Sequence, residues 1–232
     1  MSQITKHKSH PMPTPQQALG VDNSHITFLT ETIGINHQSK DDWLSMCAAA
    51  KQDGINLAIV SGFRSFARQQ LIWQLKIEGK RKVYNLEGTP VNTEKLEPAE
   101  LIAAIMLFSA LPGASRHHWG TDIDVYAPNL LPDGYQLQLT ASEYAEKGPL
   151  HPLHQWLKRY ASDFNFYFPY ENYTGGVAAE PWHLSHYPVA KQYEKILTIE
   201  LLYQHLNDSD ITHKEILLSN LPMLYNRFIK LS

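Results

Sequence analysis

Ser115-Arg-His-His-Trp-Gly-Thr-Asp-Ile-Asp124 concentrates metal-binding and charged side chains immediately before and inside a strand-like run. Ile123-Asp-Val-Tyr126 alternates in character as a half-buried strand does. Ser115 and His117 therefore fall in the loop before the strand, and Asp122 and Asp124 point to the same side of it. Far downstream, behind Gly175-Gly176, stands Glu180-Pro-Trp-His183. A His, an Asp and a second His form one of the nitrogen-and-oxygen sets that hold catalytic zinc and leave a fourth position for water. A carboxylate that is not a ligand can then take the proton from that water.

Working outward, Leu57-Ala-Ile-Val60 reads as a short buried strand, Ser61 to Ser65 as the loop after it, and Phe66 to Ile77 as a helix. Asp41 through Gln52 is a second helix that Asp53-Gly54 stops, with Asp41 and Asp42 as charge at its N-terminus. Pro98 to Leu111 and Pro152 to Tyr160 read as helices, and aromatic Phe164 to Tyr170 as a strand. Pro132-Asp-Gly-Tyr between two apolar stretches predicts a hairpin over residues 130–140. Residues 188–232 are expected to be helical, with Ile211, Leu217, Leu221, Leu224 and Phe228 on one stripe. Met1 to Gly20, polar and carrying Pro11, Pro13 and Pro15, reads as a loose arm or wrapping segment. No internal linker divides the rest, so residues 21–232 are expected to form a single domain.

Composition excludes several classes. Of 232 residues 43% are hydrophobic and 19% charged, ordinary globular usage, which rules out collagen-like and wholly disordered chains. The net charge of −3 and the lack of a Lys/Arg block argue against nucleic acid as partner. No apolar run approaches the roughly 20 residues needed to span a membrane. The lone cysteine, Cys47, precludes an internal disulfide. The N-terminus lacks the apolar core of a secretory signal, and the resulting expectation is a cytoplasmic protein, or a periplasmic one if a leader has been removed.

His117 and Asp124 within S-x-H-x-x-G-x-x-x-D, followed by E-x-W-H at 180–183, resemble the VanY-type zinc carboxypeptidases, in the superfamily that also holds lysostaphin-type endopeptidases and the hedgehog domain. Ser61-Gly-Phe-Arg-Ser-Phe-Ala-Arg-Gln69 resembles that family's S-G-Y-R-S-Y-x-x-Q segment, so the motifs occur in the family's order over about residues 57–186. The resemblance implies an α+β fold: a small, largely antiparallel sheet carrying the zinc site, flanked by helices, with a helical C-terminal extension. It implies one Zn²⁺ ion held by His117, Asp124 and His183, Glu180 as general base and then acid, and Arg64 and Ser115, with Gln69, holding the substrate's terminal carboxylate. A planar guanidinium suits that task, because it donates two parallel hydrogen bonds.

The implied substrate is a peptide derived from peptidoglycan, from which a terminal D-alanine is removed. Cytoplasmic location favours an L,D-carboxypeptidase acting on tetrapeptides in muropeptide recycling, to whose cytosolic members the chain is similar. A D,D-carboxypeptidase acting on pentapeptides, an L-alanyl-D-glutamate endopeptidase and a non-catalytic, hedgehog-like zinc module are the alternatives. The sequence also departs from the family. Phe63 and Phe66 replace tyrosines, Trp119 stands where a smaller residue is common and could narrow the site, and Asp122 stands where Ala is usual. Asp122 is thus a rival ligand to Asp124 or a partner behind the metal, and His118 is the rival to His117. His151 and His154 have metal-pair spacing but no third ligand beside them, and read as surface residues.

Overall fold

A computed structural model describes residues 12–230. In chain order its elements are α1 (Pro15–Ala18), β1 (Ile26–Phe28), β2 (Gly34–Asn36), α2 (Lys40–Gln52), β3 (Ala58–Ser61), α3 (Phe66–Ile77), α4 (Pro98–Met106), β4 (Asp122–Tyr126), α5 (Ala141–Tyr144), α6 (His151–Tyr160), β5 (Phe166–Tyr167), β6 (His183–His186), α7 (Tyr187–Ile196), α8 (Ile199–Asp208) and α9 (Lys214–Leu224). A π-helical turn at Tyr225–Ile229 follows α9, three residues after Pro222, which cannot donate to the helical ladder. The fold is α+β, as the motifs imply.

Four strands pair in the order β3-β4-β6-β5, every neighbour antiparallel. The register sets Asp124 opposite His183 and Asp122 opposite Ser185, while Ser61 at the end of β3 faces Asp124 from the other side. Two residues directly opposite each other in an antiparallel pair share a face with Cβ atoms roughly 5 Å apart. Pairing β4 with β6 therefore brings together side chains from distant parts of the sequence.

The buried apolar residues form two clusters, the second taking the strand residues that alternate with Asp122 and Asp124. One gathers Trp73, Leu101, Ile105, Tyr193, Leu202, Leu217 and Leu221 from the α3, α4 and C-terminal helices. The other gathers Trp43, Met46, Ile123, Val125, Leu153, Trp156 and Leu184 from α2, α6 and the strands. The stretch from 114 to 125 runs from the first cluster, through Ala114 and Trp119, into the second, through Ile123 and Val125. His117 lies on that passage.

Several local expectations change. The hairpin expected over 130–140 is not formed. The buried Glu143 carboxylate accepts from the backbone N–H groups of Gln138 (2.9 Å) and Thr140 (2.8 Å) and from Tyr135 Oη (3.1 Å), so donors that a strand ladder needs are taken. The strand expected at Leu57–Val60 runs one residue later and is half-buried, because β3 is a sheet edge with Val60 exposed. Of the N-terminal arm, residues 1–11 lie outside the described residues. Residues 12–20 wrap onto the domain: Thr14 and Gln17 form a reciprocal cap on α1, and Ala18 and Leu19 are buried. In the C-terminal helices, Leu217, Leu221, Leu224 and Phe228 are buried as expected, with Ile211 buried in the link before α9.

Candidate active site

His183 opens β6 directly across from Asp124 of β4, and His183 Nδ1 lies 3.1 Å from Asp124 Oδ1. His117 sits on a one-turn 3-10 helix, Arg116–Trp119, that ends at Gly120 in the left-handed region with φ 65°. A Cβ on Gly120 would come within 2.7 Å of the Asn36 nitrogen, so β2 packs too closely to admit a side chain there. His117 Nδ1 donates to the carbonyl of Gly62 at 2.9 Å, leaving Nε2 free and 3.5 Å from Asp124 Oδ2. One ligand atom each from His117, Asp124 and His183 falls within 4.8 Å of the others, and all three residues are buried. Among the described residues no other such group occurs; Asp122 is not part of it, and His151 and His154 form none. A compact N, O, N set with one imidazole nitrogen already committed to the backbone fits a zinc-sized cation.

The remaining motif residues gather around the cluster. Glu180 is buried, with Oε2 3.3 Å from His183 Nδ1. Arg64 leaves the loop after β3, and its Nη2 lies 3.7 Å from Asp124 Oδ2. Ser115, 1% exposed, makes no capping bond to the turn that follows it. Arg64, Ser115, His117, Asp124, Glu180 and His183 all line a single cavity of about 720 Å³. Gln69 does not line it; buried on α3, Gln69 accepts from Arg64 Nη1 through its Oε1 at 3.1 Å. His118 turns away: its Nε2 accepts from Gly113 N–H, and its Nδ1 donates to the Arg64 carbonyl at 2.6 Å, pinning the loop that carries Arg64. Trp119 does not narrow the cavity. Its indole stacks on Tyr193 at 5.5 Å and donates to the Ala18 carbonyl, on the side of the helical core.

Burial and charge set the protonation of the cluster. Burial, helped by the Arg64 charge, pushes His117 down to about 3, so its ring is neutral and able to ligate. Burial alone would raise Asp124, but His117, His183 and Arg64 outweigh it and hold the carboxyl down to about 2. His183 is held well above the ordinary imidazole range: burial opposes this, and hydrogen bonds to Asp122, Asp124 and Glu180 overcome it. Glu180 is raised above the ordinary carboxylate value, chiefly by burial and against the lowering pull of His183.

Three features escape the motif reading. Tyr170 lines the cavity, its ring 5.0 Å from that of His183 and its carbonyl accepting from Glu180 N–H at 2.9 Å. Lys76 lines it too, donating to Ser109 Oγ at 2.7 Å; among the described residues no carboxylate pairs with it. Glu87 and the stretch Gln138 to Ser142 complete the outer wall. Helical spacing from Gln69 could have drawn attention to Lys76, seven residues on. No local signal marks Tyr170, because its link to Glu180 is made by a loop.

A buried His-Asp-His cluster on an antiparallel sheet, with a glutamate beside it, is the arrangement of a metal-dependent hydrolase. The family model described as VanY, D-alanyl-D-alanine carboxypeptidase, matches residues 32–189, and the chain belongs to that family. It is a carboxypeptidase of the VanY family acting on peptidoglycan peptides. An uncharacterized protein of Haemophilus influenzae is 35% identical over 121 residues, covering 51% of this chain and 92% of its own. The solved structure of VanYB in complex with D-alanine-D-alanine superimposes with a TM-score of 0.53 at 21% identity, covering 82% of this chain and 91% of that one. The LdcB LD-carboxypeptidase structure does so at 0.50 and 23% identity, covering 79% and 78%. At these identities the two structures speak for the fold. Among the described residues, no helix is long and apolar enough to cross a membrane.

Proposed function

We propose that this chain is a zinc-dependent carboxypeptidase that removes the terminal D-alanine from peptidoglycan stem peptides, with tetrapeptides preferred (the L,D reaction) and a place in wall recycling. The observation that carries the metal chemistry is the convergence of His117, Asp124 and His183 within 4.8 Å, in the cavity that also holds Glu180 and Arg64. In this reading those three residues hold Zn²⁺, which supplies Lewis acidity to the scissile carbonyl and to water. Glu180 takes the proton from the attacking water and hands it to the departing amine. Arg64 and Ser115 receive the terminal carboxylate, and Gln69 acts behind Arg64 to aim its guanidinium. An internal peptide bond presents no such carboxylate, which is why the clamp favours an exopeptidase.

Room supports the tetrapeptide preference. In an L,D substrate the residue before the scissile bond carries a long diamino side chain; in a D,D substrate it carries a methyl group. A cavity of about 720 Å³ with Tyr84, Leu86 and Glu87 along one wall offers both space and a carboxylate for such a side chain. The spread of lining residues from Arg64 to Ile229 supports treating residues 21–232 as one working unit.

The test is a panel of tri-, tetra- and pentapeptide muropeptides followed by mass spectrometry, with chelator and then with zinc restored. Release of D-alanine from tetrapeptides, lost on chelation and regained with zinc, is the expected result. Faster release from pentapeptides would replace the L,D preference by D,D. Turnover indifferent to chelation would remove the metal from the reaction.

A further inference from the structure

Asp122 is fully buried and makes more hydrogen bonds than any ligand of the cluster. Its Oδ1 accepts from Arg116 Nε at 2.7 Å and lies 3.0 Å from His183 Nε2. Its Oδ2 accepts from Thr121 Oγ1 at 2.6 Å and from Ser185 Oγ at 2.9 Å. Arg116, itself buried, donates through Nη2 to Ser185 Oγ (2.8 Å) and Tyr167 Oη (3.0 Å), and through Nη1 to Glu194 Oε1 (2.8 Å). The guanidinium also lies 4.6 Å from the Trp119 ring centroid, on a different side chain of the same turn that carries His117.

The consequence lies in the two nitrogens of His183. Both ring nitrogens face carboxylates, but it is Nδ1 that lies on the side of the His117–Asp124–His183 cluster, 3.1 Å from Asp124 and 3.3 Å from Glu180. Nε2 is engaged from behind by Asp122, which accepts and does not donate, so Nδ1 is the nitrogen whose proton a metal ion would displace. We infer that Asp122, clamped by Arg116, Thr121 and Ser185, is the positioning residue that fixes both the tautomer and the ring orientation of His183 toward the metal. His117 reaches the same end by a different device, the carbonyl of Gly62. One histidine is set by the backbone, and the other by a four-residue polar network anchored on α7. Outer partners of this kind typically contribute 10–100-fold in metal affinity.

This inference rests on reading His117, Asp124 and His183 as ligands, and the experiment separates the two. The first measurement uses the unaltered protein: ¹⁵N-histidine NMR with and without one equivalent of zinc. The expected result is His183 protonated at Nε2, with the metal-dependent shift on Nδ1. A metal shift on Nε2 would overturn the inference, whatever happens to any variant. Failure of the unaltered protein to bind zinc would instead sink the ligand assignment. The second measurement is the zinc dissociation constant, by chelator competition, for Asp122→Ala, Asp122→Asn and Glu194→Gln. Asp122→Ala is expected to weaken zinc 10–100-fold, with partial recovery in Asp122→Asn, whose amide oxygen can still accept from Nε2. Glu194→Gln disturbs the outer end of the same network and is expected to lower the melting temperature while leaving zinc affinity within about twofold. Equal losses of affinity in Glu194→Gln and Asp122→Ala, or no loss in a folded Asp122→Ala, would reduce Asp122 to a structural residue.

Discussion

Gln69 braces Arg64: its Oε1 accepts from Arg64 Nη1 at 3.1 Å, while its Nε2 donates to the Ala110 carbonyl at 2.7 Å. The amide cannot flip without losing both bonds, so the guanidinium is aimed before any substrate arrives. Preorganisation of this kind lowers the ordering cost of binding.

Gln69→Ala is accordingly expected to raise KM about 3- to 10-fold with kcat changed little, a free-energy loss of about 1 kcal/mol. Arg64→Ala should lose about 2–5 kcal/mol of substrate binding, the usual cost of truncating one member of a desolvated charge pair. Steady-state kinetics on a D-alanine-terminated peptide would check both, and an unchanged KM in Arg64→Ala would remove it from the carboxylate clamp.

Replacing Glu180 by Gln keeps the shape and deletes the proton acceptor. Turnover should fall by about 10²–10⁴-fold, the ordinary contribution of a positioned acid–base group. Zinc content measured by atomic emission is expected to stay at one equivalent, since Glu180 lies outside the His117, Asp124 and His183 group that could hold the ion. Retained turnover would assign the base elsewhere.

Gly120 and Gly54 offer a matched pair. Both have positive φ, 65° and 78°, but a Cβ at 120 meets Ile26 Cδ1 and the Asn36 nitrogen, whereas one at 54 meets nothing within 4 Å. Gly54→Ala should cost only the left-handed strain, about 1 kcal/mol. Gly120→Ala should cost several kcal/mol and displace His117, detectable as a larger drop in melting temperature accompanied by weaker zinc binding.

Lys76 lines the cavity and, among the described residues, forms no ion pair with a carboxylate; burial pushes its ammonium from 10.5 down to about 8. The folded protein releases this proton before the unfolded chain does, so the penalty is full below pH 8 and fades as pH rises toward 10.5. Lys76→Met is therefore expected to stabilise the fold by about 1–2 kcal/mol at pH 7, after discounting for partial exposure, with the gain shrinking by pH 10. Chemical denaturation at the two pH values reads this directly; a gain that grows with pH would contradict it.

What could be read from the sequence follows from how local each signal is. His117, Asp124, Glu180 and His183 stand out because ligand chemistry demands particular residue types at particular spacings, and the β4–β6 register then does the rest. Arg64 and Gln69 were legible as a motif, but the division of labour between them was not: it depends on Ala110, a loop residue that no spacing rule connects to α3. Asp122 could be noticed yet not assigned, because its role is decided by Ser185 and Tyr167, 63 and 51 residues from Asp122 and Arg116 respectively. The hairpin expected near residue 135 failed for a similar reason. Turn residues were present, but Glu143 captured the donors: its bond to Thr140 N–H belongs to a capping box on α5, whereas its reach back to Gln138 has no local signature.

Phe228 and Ile229, on the π-helical turn, belong to the cavity wall although the VanY match ends at residue 189. Gly176 packs directly against this turn, since a Cβ there would strike the Arg227 carbonyl oxygen. The C-terminal stretch thus adds two side chains to the wall of a cavity whose metal cluster lies within the family-matched portion. Selectivity among peptides of different bulk can then drift through substitutions at these two wall positions, which lie outside the His117, Asp124 and His183 cluster.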